Sequence, residues 1–305
     1  MEAGARARRA PVGIAWLQTV RLTASDYIAL TKPRVISLLL VTTVATMFVA
    51  DSSPAFGLVL LTMIGGYLAA GGAGAINHYL ERDIDANMRR TSRRPLPAGR
   101  IEPRSALWFG IALGAISFAL FALTVNLTAA SLALAGLLGY VFVYTLWLKP
   151  KTTQNIVIGG AAGAVPPLVG WAAAAGHLDP SAFYLFAIVF YWTPPHFWAL
   201  ALLIKDDYAR TGIPMLPVVE GEAETRRQIL LYGWLMLAIT ALPLAGGLFG
   251  WVYAAAAAAL GSVFIWLCVR LHRRADRRSA TILFHYSLAY LALLFVAMAI
   301  DRVVQ

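Results

Sequence analysis

Nine apolar stretches divide this sequence and restrict what the chain can fold into. They lie near 29–50, 56–78, 105–125, 129–148, 155–175, 182–204, 228–247, 249–270 and 281–300. Each approaches the roughly 20 residues that an α-helix needs to cross a bilayer. Hydrophobic residues make up 60% of the chain and charged residues only 13%, which is more apolar than a soluble domain requires. The sequence therefore predicts an all-α membrane protein, with nine transmembrane helices bundled around a central cavity that opens to the cytoplasmic rim.

Basic residues gather at one set of ends of these stretches. With nine crossings, every Lys and Arg except Arg302 falls on the same side of the membrane. By the positive-inside rule that side is cytoplasmic, which predicts a cytoplasmic N-terminus and a C-terminus on the opposite side. Eight crossings would place part of this charge on the wrong side, so nine is the better prediction. The net charge of +10 is thus a topology signal and no indication of nucleic-acid binding.

Two further features concern the ends and the cysteine content of the chain. Residues 1–25 carry several arginines but no adequate apolar core before a small-residue cleavage site. They predict a flexible cytoplasmic tail rather than a signal peptide, followed by a nine-helix domain over 26–305. Cys268 is the single cysteine, so no intrachain disulfide can form and no thiolate metal site is indicated.

A polar motif closes the second apolar stretch. Asn77, Glu81 and Asp85 are spaced four residues apart, so at about 100° per residue they share one helix face. Carboxylates are costly beside hydrocarbon and mark functional sites there. Oxygen ligands of this kind suit Mg²⁺, which often shares them with substrate phosphates. Four arginines follow, and their guanidinium groups match phosphate oxygens: Arg89, Arg90, Arg93 and Arg94. The motif therefore predicts a site for Mg²⁺ and a diphosphate, in which Arg90 and Arg94 grip the diphosphate.

Neighbours of this motif have less specific interpretations. His78 is expected to point about 100° away from Asn77. Asp83 lies opposite Glu81, so a supporting salt bridge to a nearby arginine is the better interpretation than metal ligation.

A second polar region runs through the sixth apolar stretch. Pro194 and Pro195 are expected to break the helix, and His196 beside them is expected to line a cavity wall, unless it is an ordinary packed histidine. Asp206 and Asp207 emerge on the cytoplasmic side, where they could share a diphosphate with the first motif through further Mg²⁺. An ordinary polar loop explains these two aspartates equally well.

Several basic residues have two interpretations. Lys32 and Arg34 flank a proline at the start of the first stretch and either anchor the helix at the interface or clamp phosphate. Lys149 and Lys151 share this ambiguity, and Lys205 is assigned to the diphosphate with the aspartates that follow it.

The first motif, within a nine-span chain, resembles the first acidic motif of the UbiA-type intramembrane prenyltransferases. Four segments resemble, more specifically, the haem-farnesylating branch of that family: 26–35, 77–96, 155–171 and 193–217. Glu81 stands where many family members have Asp. His196 and the adjacent pair Asp206 and Asp207 stand where quinone-type relatives have spaced aspartates, which favours the haem branch and puts direct ligation of a second metal in doubt.

This resemblance implies a substrate pair and a set of roles. The substrates would be farnesyl diphosphate and haem B, and the product would be haem O. The metal would be Mg²⁺, held by Asn77, Glu81 and Asp85. His196 would contact the haem or handle the proton of the added water. The setting would be a bacterial inner membrane, with a haem A synthase or a terminal-oxidase assembly partner receiving the product.

Two other functions stay open at this stage. A UbiA-type prenyltransferase acting on a quinone precursor would keep the first motif but should show spaced second aspartates. A transporter would place polar residues deep in the spans and would have paired broken helices. The acidic residues of this chain instead cluster at one rim.

Overall fold

The computed structural model describes residues 23–305, and in that part of the chain every regular element is a helix. Helix α1 is described over 23–31. The helices after it are α2 (Pro33–Ala50), α3 (Phe56–Leu80), α4 (Arg82–Asn87), α5 (Pro103–Thr124), α6 (Leu127–Leu138) continued by a π-helix (Gly139–Leu148), α7 (Asn155–Gly163), α8 (Val165–Ala175), α9 (Pro180–Leu203), α10 (Lys205–Arg210), α11 (Leu216–Val219), α12 (Gly221–Ala245), α13 (Trp251–Arg274) and α14 (Arg277–Val304).

Nine helical segments within 23–305 are long and apolar enough to cross a membrane. The predicted all-α membrane fold and its count of nine spans are therefore confirmed. One span combines α6 with the π-helix, and another combines α7 with α8. The predicted tail falls outside the described residues as far as residue 22, and residues 23–25 belong to α1.

Two span boundaries differ from the apolar pattern for physical reasons. The first span begins at Pro33 rather than near residue 29, because Lys32 has a left-handed backbone (φ 59°) that separates α1 from α2. Proline then occupies the first turn of α2, where its missing N–H costs nothing. The seventh span begins at Gly221 rather than near 228. Hydropathy locates only the apolar part of a helix, and this helix starts with a polar turn.

The prolines of the sixth span do not break its helix. Helix α9 runs without interruption through Pro194 and Pro195, so the expected break is wrong. Each proline removes one N–H donor, but the helix continues on both sides of the two prolines. A span is interrupted instead at Ala164, between α7 and α8. Pro166 lies in the first turn of α8, the one place where a proline fits a helix without loss.

The helices close into one bundle. The last helix, α14, packs against both α2 and α9, and α9 packs in turn against α7, α8 and α12. Helix α3 packs along α5 at very close range, since a Cβ added to Gly72 would lie 2.7 Å from the carbonyl oxygen of Gly110. Small residues permit such backbone approaches between membrane helices.

An apolar cavity lies within part of the bundle. It has a volume of about 220 Å³ and lies between α2, α3, the α6 span, α7 and α8. Most of its wall is small or aliphatic, as in Gly66, Ala69, Ala133, Gly136 and Val169. Its polar end is formed by Thr31, Lys32 and Tyr140. The cavity therefore suits an apolar chain that ends in a charged group.

Asp301 fixes the turn between α12 and α13 from a distance in sequence. Its buried carboxylate accepts hydrogen bonds from the backbone N–H of Gly250 at 2.6 Å and of Tyr253 at 3.0 Å. The first turn of a helix leaves such N–H groups without partners. Asp301 thus caps α13 from α14.

We predict that Asp301→Ala lowers the free energy of unfolding by about 1–3 kcal/mol, because buried donors lose their acceptor. Unfolding in mixed SDS and mild-detergent micelles measures this change. Asp51→Ala is the control, since Asp51 is exposed and its side chain accepts, within the described part of the chain, only the Ser53 N–H. Equal effects of the two substitutions would contradict the capping role.

Candidate active site

The acidic motif spans the junction of two helices. Helix α3 ends at Leu80, and Glu81 joins it to α4. The backbone N–H of Glu81 donates to the Asn77 carbonyl at 2.9 Å, and that of Asp85 donates to the Glu81 carbonyl at 2.7 Å. Helical spacing therefore continues through the junction. The three motif residues are only 2–6% exposed, so their polar side chains need partners within the protein.

Each motif side chain is paired with a basic residue from a different segment: Asn77 Oδ1 with Lys32 Nζ at 2.5 Å, Glu81 Oε1 with Lys149 Nζ, and Asp85 Oδ2 with Arg94 Nη1 at 2.7 Å. The lysines and the arginine come from the α1–α2 junction, the end of the π-helix and the loop after α4. Three basic groups thus face two carboxylates. This excess of positive charge favours an anionic ligand.

The electrostatic environment of two of these groups is strongly altered. Burial alone would raise the pKa of Glu81, but Lys149 and Lys32 together lower this pKa below its usual value, so Glu81 is a carboxylate. Burial, followed by the neighbouring Arg94, lowers the pKa of Lys32 to about 7. An anion that binds beside Lys32 would therefore raise the pKa of this lysine. The resulting protonation would strengthen the binding of the anion.

Lys149 is a site residue that the sequence left ambiguous. Its ammonium group reaches Glu81 from the end of the fourth span. Lys151, for which the sequence allowed the same two interpretations, is exposed. Arg34, which was expected to clamp phosphate, is also exposed and forms no ion pair within residues 23–305. The structure thus brings Lys32 to the motif but leaves Arg34 at the surface.

The two adjacent aspartates of α10 face different surroundings. Asp207 is buried, pairs with Arg210, and accepts a long hydrogen bond of 3.4 Å from the backbone N–H of Arg90. Asp206 is exposed and lines a polar groove that also contains Lys205. The Lys205 ammonium pairs with Glu222 at 2.8 Å. The loop between α4 and α5, residues 88–102, carries the four arginines and is called the arginine loop below. Only Asp207 approaches this loop, while Asp206 and Lys205 lie away from it.

Tyr208 lies between the two acidic motifs. It is buried, and its phenol is within electrostatic reach of Arg90 and Glu81. Burial raises the pKa of Tyr208 to about 12, so the phenol keeps its proton and can donate a hydrogen bond. The sequence predicted no role for Tyr208, which lies in the segment 193–217 that resembles the family.

His78 lies closer to the site than its neighbour Asn77 suggested. Its Nδ1 is 4.0 Å from Asp85 Oδ2, and both ring nitrogens are buried without a hydrogen-bond partner in residues 23–305. Residues 78 and 85 are seven apart, which is nearly two helical turns, so this spacing was an available signal. Asp83 behaves as expected, because its side chain is 84% exposed and pairs with Arg82 at 3.5 Å.

His196 is held away from this cluster by its own contacts. Its Nδ1 is 2.6 Å from the Ser287 hydroxyl, and its ring stacks between Trp192 and Phe284 at centroid distances of 4.2 and 5.0 Å. Its Nε2 has no hydrogen-bond partner among the described residues. The structure shows a well-packed histidine with one nitrogen available, and no contact to Asn77, Glu81 or Asp85.

The motif offers an amide oxygen and two carboxylates, which is the hard oxygen donor set that Mg²⁺ prefers. No group of three or more His, Cys, Asp or Glu side chains in 23–305 is arranged to hold a metal ion. A metal at this motif would therefore share it with a ligand that supplies further oxygens. The basic partners already present would turn to that ligand.

The described residues thus form a helical membrane bundle whose apolar cavity ends beside oxygen donors and basic groups. The model of the UbiA prenyltransferase family matches residues 38–296. The chain belongs to this family, as its motifs had indicated.

Curated relatives are similar over almost the whole chain. It is 58% identical over 280 residues to a protein named protoheme IX farnesyltransferase from Roseiflexus sp. (strain RS-1), which covers 92% of this chain and 52% of that protein. A protein of the same name from Gloeobacter violaceus is 53% identical, with 93% and 94% covered. The chain thus spans about half the length of the Roseiflexus, Chloroflexus and Thermus relatives that it matches.

Solved structures share the fold at low sequence identity. One described as digeranylgeranylglyceryl phosphate synthase superposes with a TM-score of 0.73 at 17% identity, covering 93% of this chain and 99% of that one. A UbiA homologue from Archaeoglobus fulgidus bound to GPP and Mg²⁺ has a TM-score of 0.67 at 16% identity, with 90% and 99% covered. At these identities the likeness shows the fold alone.

We predict that Arg94→Lys weakens the binding of inorganic pyrophosphate with Mg²⁺ by about tenfold, the equivalent of one charge-assisted hydrogen bond. A lysine keeps the charge but cannot form two parallel hydrogen bonds. Calorimetry on the purified protein measures the dissociation constant. Arg93→Lys is the matched control, because the Arg93 side chain is exposed. Equal losses in both variants would mean that these arginines only hold the loop in place.

Proposed function

We propose that this chain transfers the farnesyl group of farnesyl diphosphate to a vinyl group of haem B, with addition of water, to give haem O and diphosphate. The proposal is supported by the names of its relatives, which cover 92–93% of this chain at 53–58% identity. The single observation that carries it is Lys32. This residue forms the end of the apolar cavity and also binds Asn77 of the acidic motif.

The cavity and the basic cluster are proposed to bind different parts of the prenyl substrate. Small residues of α3 and of the α6 span leave room for an apolar tail, and Lys32 lies where that tail would meet its diphosphate. Lys149 and Arg94 are paired with carboxylates beside it. In this proposal the apolar cavity holds the tail and the basic cluster holds the diphosphate. This arrangement aligns the carbon–oxygen bond that is to be broken.

Departure of the diphosphate is the step that this site favours. The carbon–oxygen bond breaks with its electron pair going to diphosphate, and the basic groups stabilise the charge that develops there. Mg²⁺ held by Asn77, Glu81 and Asp85 would add further positive charge at the same oxygens. Asp207, which accepts from the Arg90 N–H, and Arg90 itself are proposed to complete the diphosphate site. The apolar cavity wall keeps bulk water from the allylic cation.

The acceptor half of the reaction follows from the resemblance. The vinyl group of haem B forms the new carbon–carbon bond, and water then supplies the hydroxyl group and releases a proton. His196 is proposed to contact the haem or to take that proton through Nε2. The recipient of haem O is proposed to be a haem A synthase or a terminal-oxidase assembly partner. A bacterial inner membrane, with the basic helix ends in the cytoplasm, is the proposed location.

The discriminating assay supplies radiolabelled farnesyl diphosphate with either haem B or 4-hydroxybenzoate to the purified protein. Labelled haem O is the expected product. A labelled benzoate would assign the chain to a quinone pathway instead. Absence of both products, with intact substrate binding, would contradict prenyl transfer altogether.

We predict that Asp85→Ala abolishes haem O formation in protein that still inserts and folds, because it removes a buried ligand and leaves Arg94 without its partner. Product formation at saturating Mg²⁺ measures the effect. Asp83→Ala is the matched control, because Asp83 is only two residues away but its side chain is 84% exposed. Comparable rates for wild type and Asp85→Ala would refute the role of the motif.

For His196, we predict that His196→Gln keeps farnesyl diphosphate binding but lowers haem O formation at least about tenfold, since glutamine cannot transfer a proton near neutral pH. A Soret shift in haem-loaded protein would indicate haem ligation, and an unchanged Soret band would indicate proton transfer. Ser287→Ala, which removes only the Nδ1 partner, tests whether the loss comes from the ring itself. Near-normal output from His196→Gln would leave this residue a packing role.

A further inference from the structure

We infer that Thr145 is a positioning residue, which fixes the side-chain amide of Asn77 so that its oxygen faces the cation site. Thr145 lies in the π-helix and contacts neither acidic residue of the motif. Asn77 Nδ2 donates to the Thr145 hydroxyl oxygen at 3.1 Å, and both residues are buried. The inference rests on the proposed function, because it concerns the residue that presents Asn77 to metal and diphosphate.

The direction of this hydrogen bond follows from the chain of donors. The Thr145 hydroxyl is 2.9 Å from the backbone carbonyl of Tyr140, which can only accept. A hydroxyl group has one proton, and it is used in that bond. The Thr145 oxygen must therefore accept from Asn77, which requires the amide nitrogen and not the amide oxygen on this side.

A second contact supports the same orientation. On the other side of the amide, Asn77 Oδ1 accepts from Lys32 Nζ at 2.5 Å. The nitrogen and oxygen of an amide are otherwise easily exchanged by rotation. The Thr145 oxygen, whose own proton is already used, and the amino group of Lys32, which donates, hold the amide between them.

The π-helix is what allows Thr145 to do this. In an α-helix, a threonine hydroxyl bonds the carbonyl three or four residues earlier, as Thr46 does with Thr42 at 2.8 Å. The wider turn of Gly139–Leu148 presents the carbonyl five residues earlier instead. π-helical turns often occur at functional sites. This one turns the Thr145 oxygen towards α3.

Loss of this contact should affect ligand binding through Asn77. When Lys32 turns to a bound diphosphate, the Thr145 hydroxyl is the contact that still holds the amide. Without it, the amide can rotate and present its N–H groups to a cation that needs an oxygen. Residues that orient metal ligands in this way typically change metal affinity by about 10–100-fold when they are replaced. A role in packing alone would leave metal affinity unchanged.

The test measures Mn²⁺ binding in the presence of inorganic pyrophosphate, followed by the EPR signal of free Mn²⁺, on the 305-residue chain in detergent. Thr145→Val keeps the shape and removes the hydroxyl. We expect its dissociation constant for Mn²⁺ to rise about tenfold. Thr145→Ser restores the hydroxyl and should bind Mn²⁺ as wild type does. Thr46→Val is the matched control, because Thr46 is buried and its hydroxyl bonds, among residues 23–305, only its own helix.

A double substitution separates positioning from general damage. If Thr145 acts through Asn77, then Thr145→Val should add no further loss in an Asn77→Ala background. Additive losses would overturn the inference, as would unchanged Mn²⁺ affinity in Thr145→Val. Thr145→Ala provides the same measurement if the valine variant does not fold. A wild type that binds Mn²⁺ but forms no prenylated product would instead contradict the proposed function and leave the role of Thr145 intact.

Discussion

The structure depends on how the three buried polar side chains of the acidic motif are paired. Two carboxylates and an amide at the end of α3 would be costly to bury without partners. Lys32, Lys149 and Arg94 supply those partners from three separate segments. The site therefore exists only when the α1–α2 junction, the π-helix and the arginine loop have all reached α3.

The same pairing bears on the proposed ligand. The basic groups that pair with the motif are proposed to turn towards the diphosphate, and the lowered pKa of Lys32 lets the charge of this residue increase when an anion binds. Because Lys32 also lines the polar end of the apolar cavity, it is proposed to join the binding of the tail to the binding of the head. Its left-handed backbone is the local strain that such a position imposes.

Local spacing explains both the successes and the misses at the site. Asn77, Glu81 and Asp85 could be grouped from sequence because they are four residues apart on one helix. His78 and Asp85 could have been paired by their spacing of seven. Adjacent residues on a helix point about 100° apart, which is why Asp206 is exposed and Asp207 is buried on α10. No local pattern, however, marked Thr145, whose role depends on a π-helical turn and on a neighbour 68 residues away.

By itself, the sequence determined the membrane setting, the nine spans and the family. These properties depend on hydropathy and on short spacings, which are local and additive along the chain. Only the tertiary structure decided which basic residue serves which ligand. Lys149 and Lys151 are equivalent in the sequence, yet one is paired with Glu81 and the other is exposed. The same holds for Lys32 and Arg34. Helix rotation and packing make that choice, because they decide which side chains face the bundle interior.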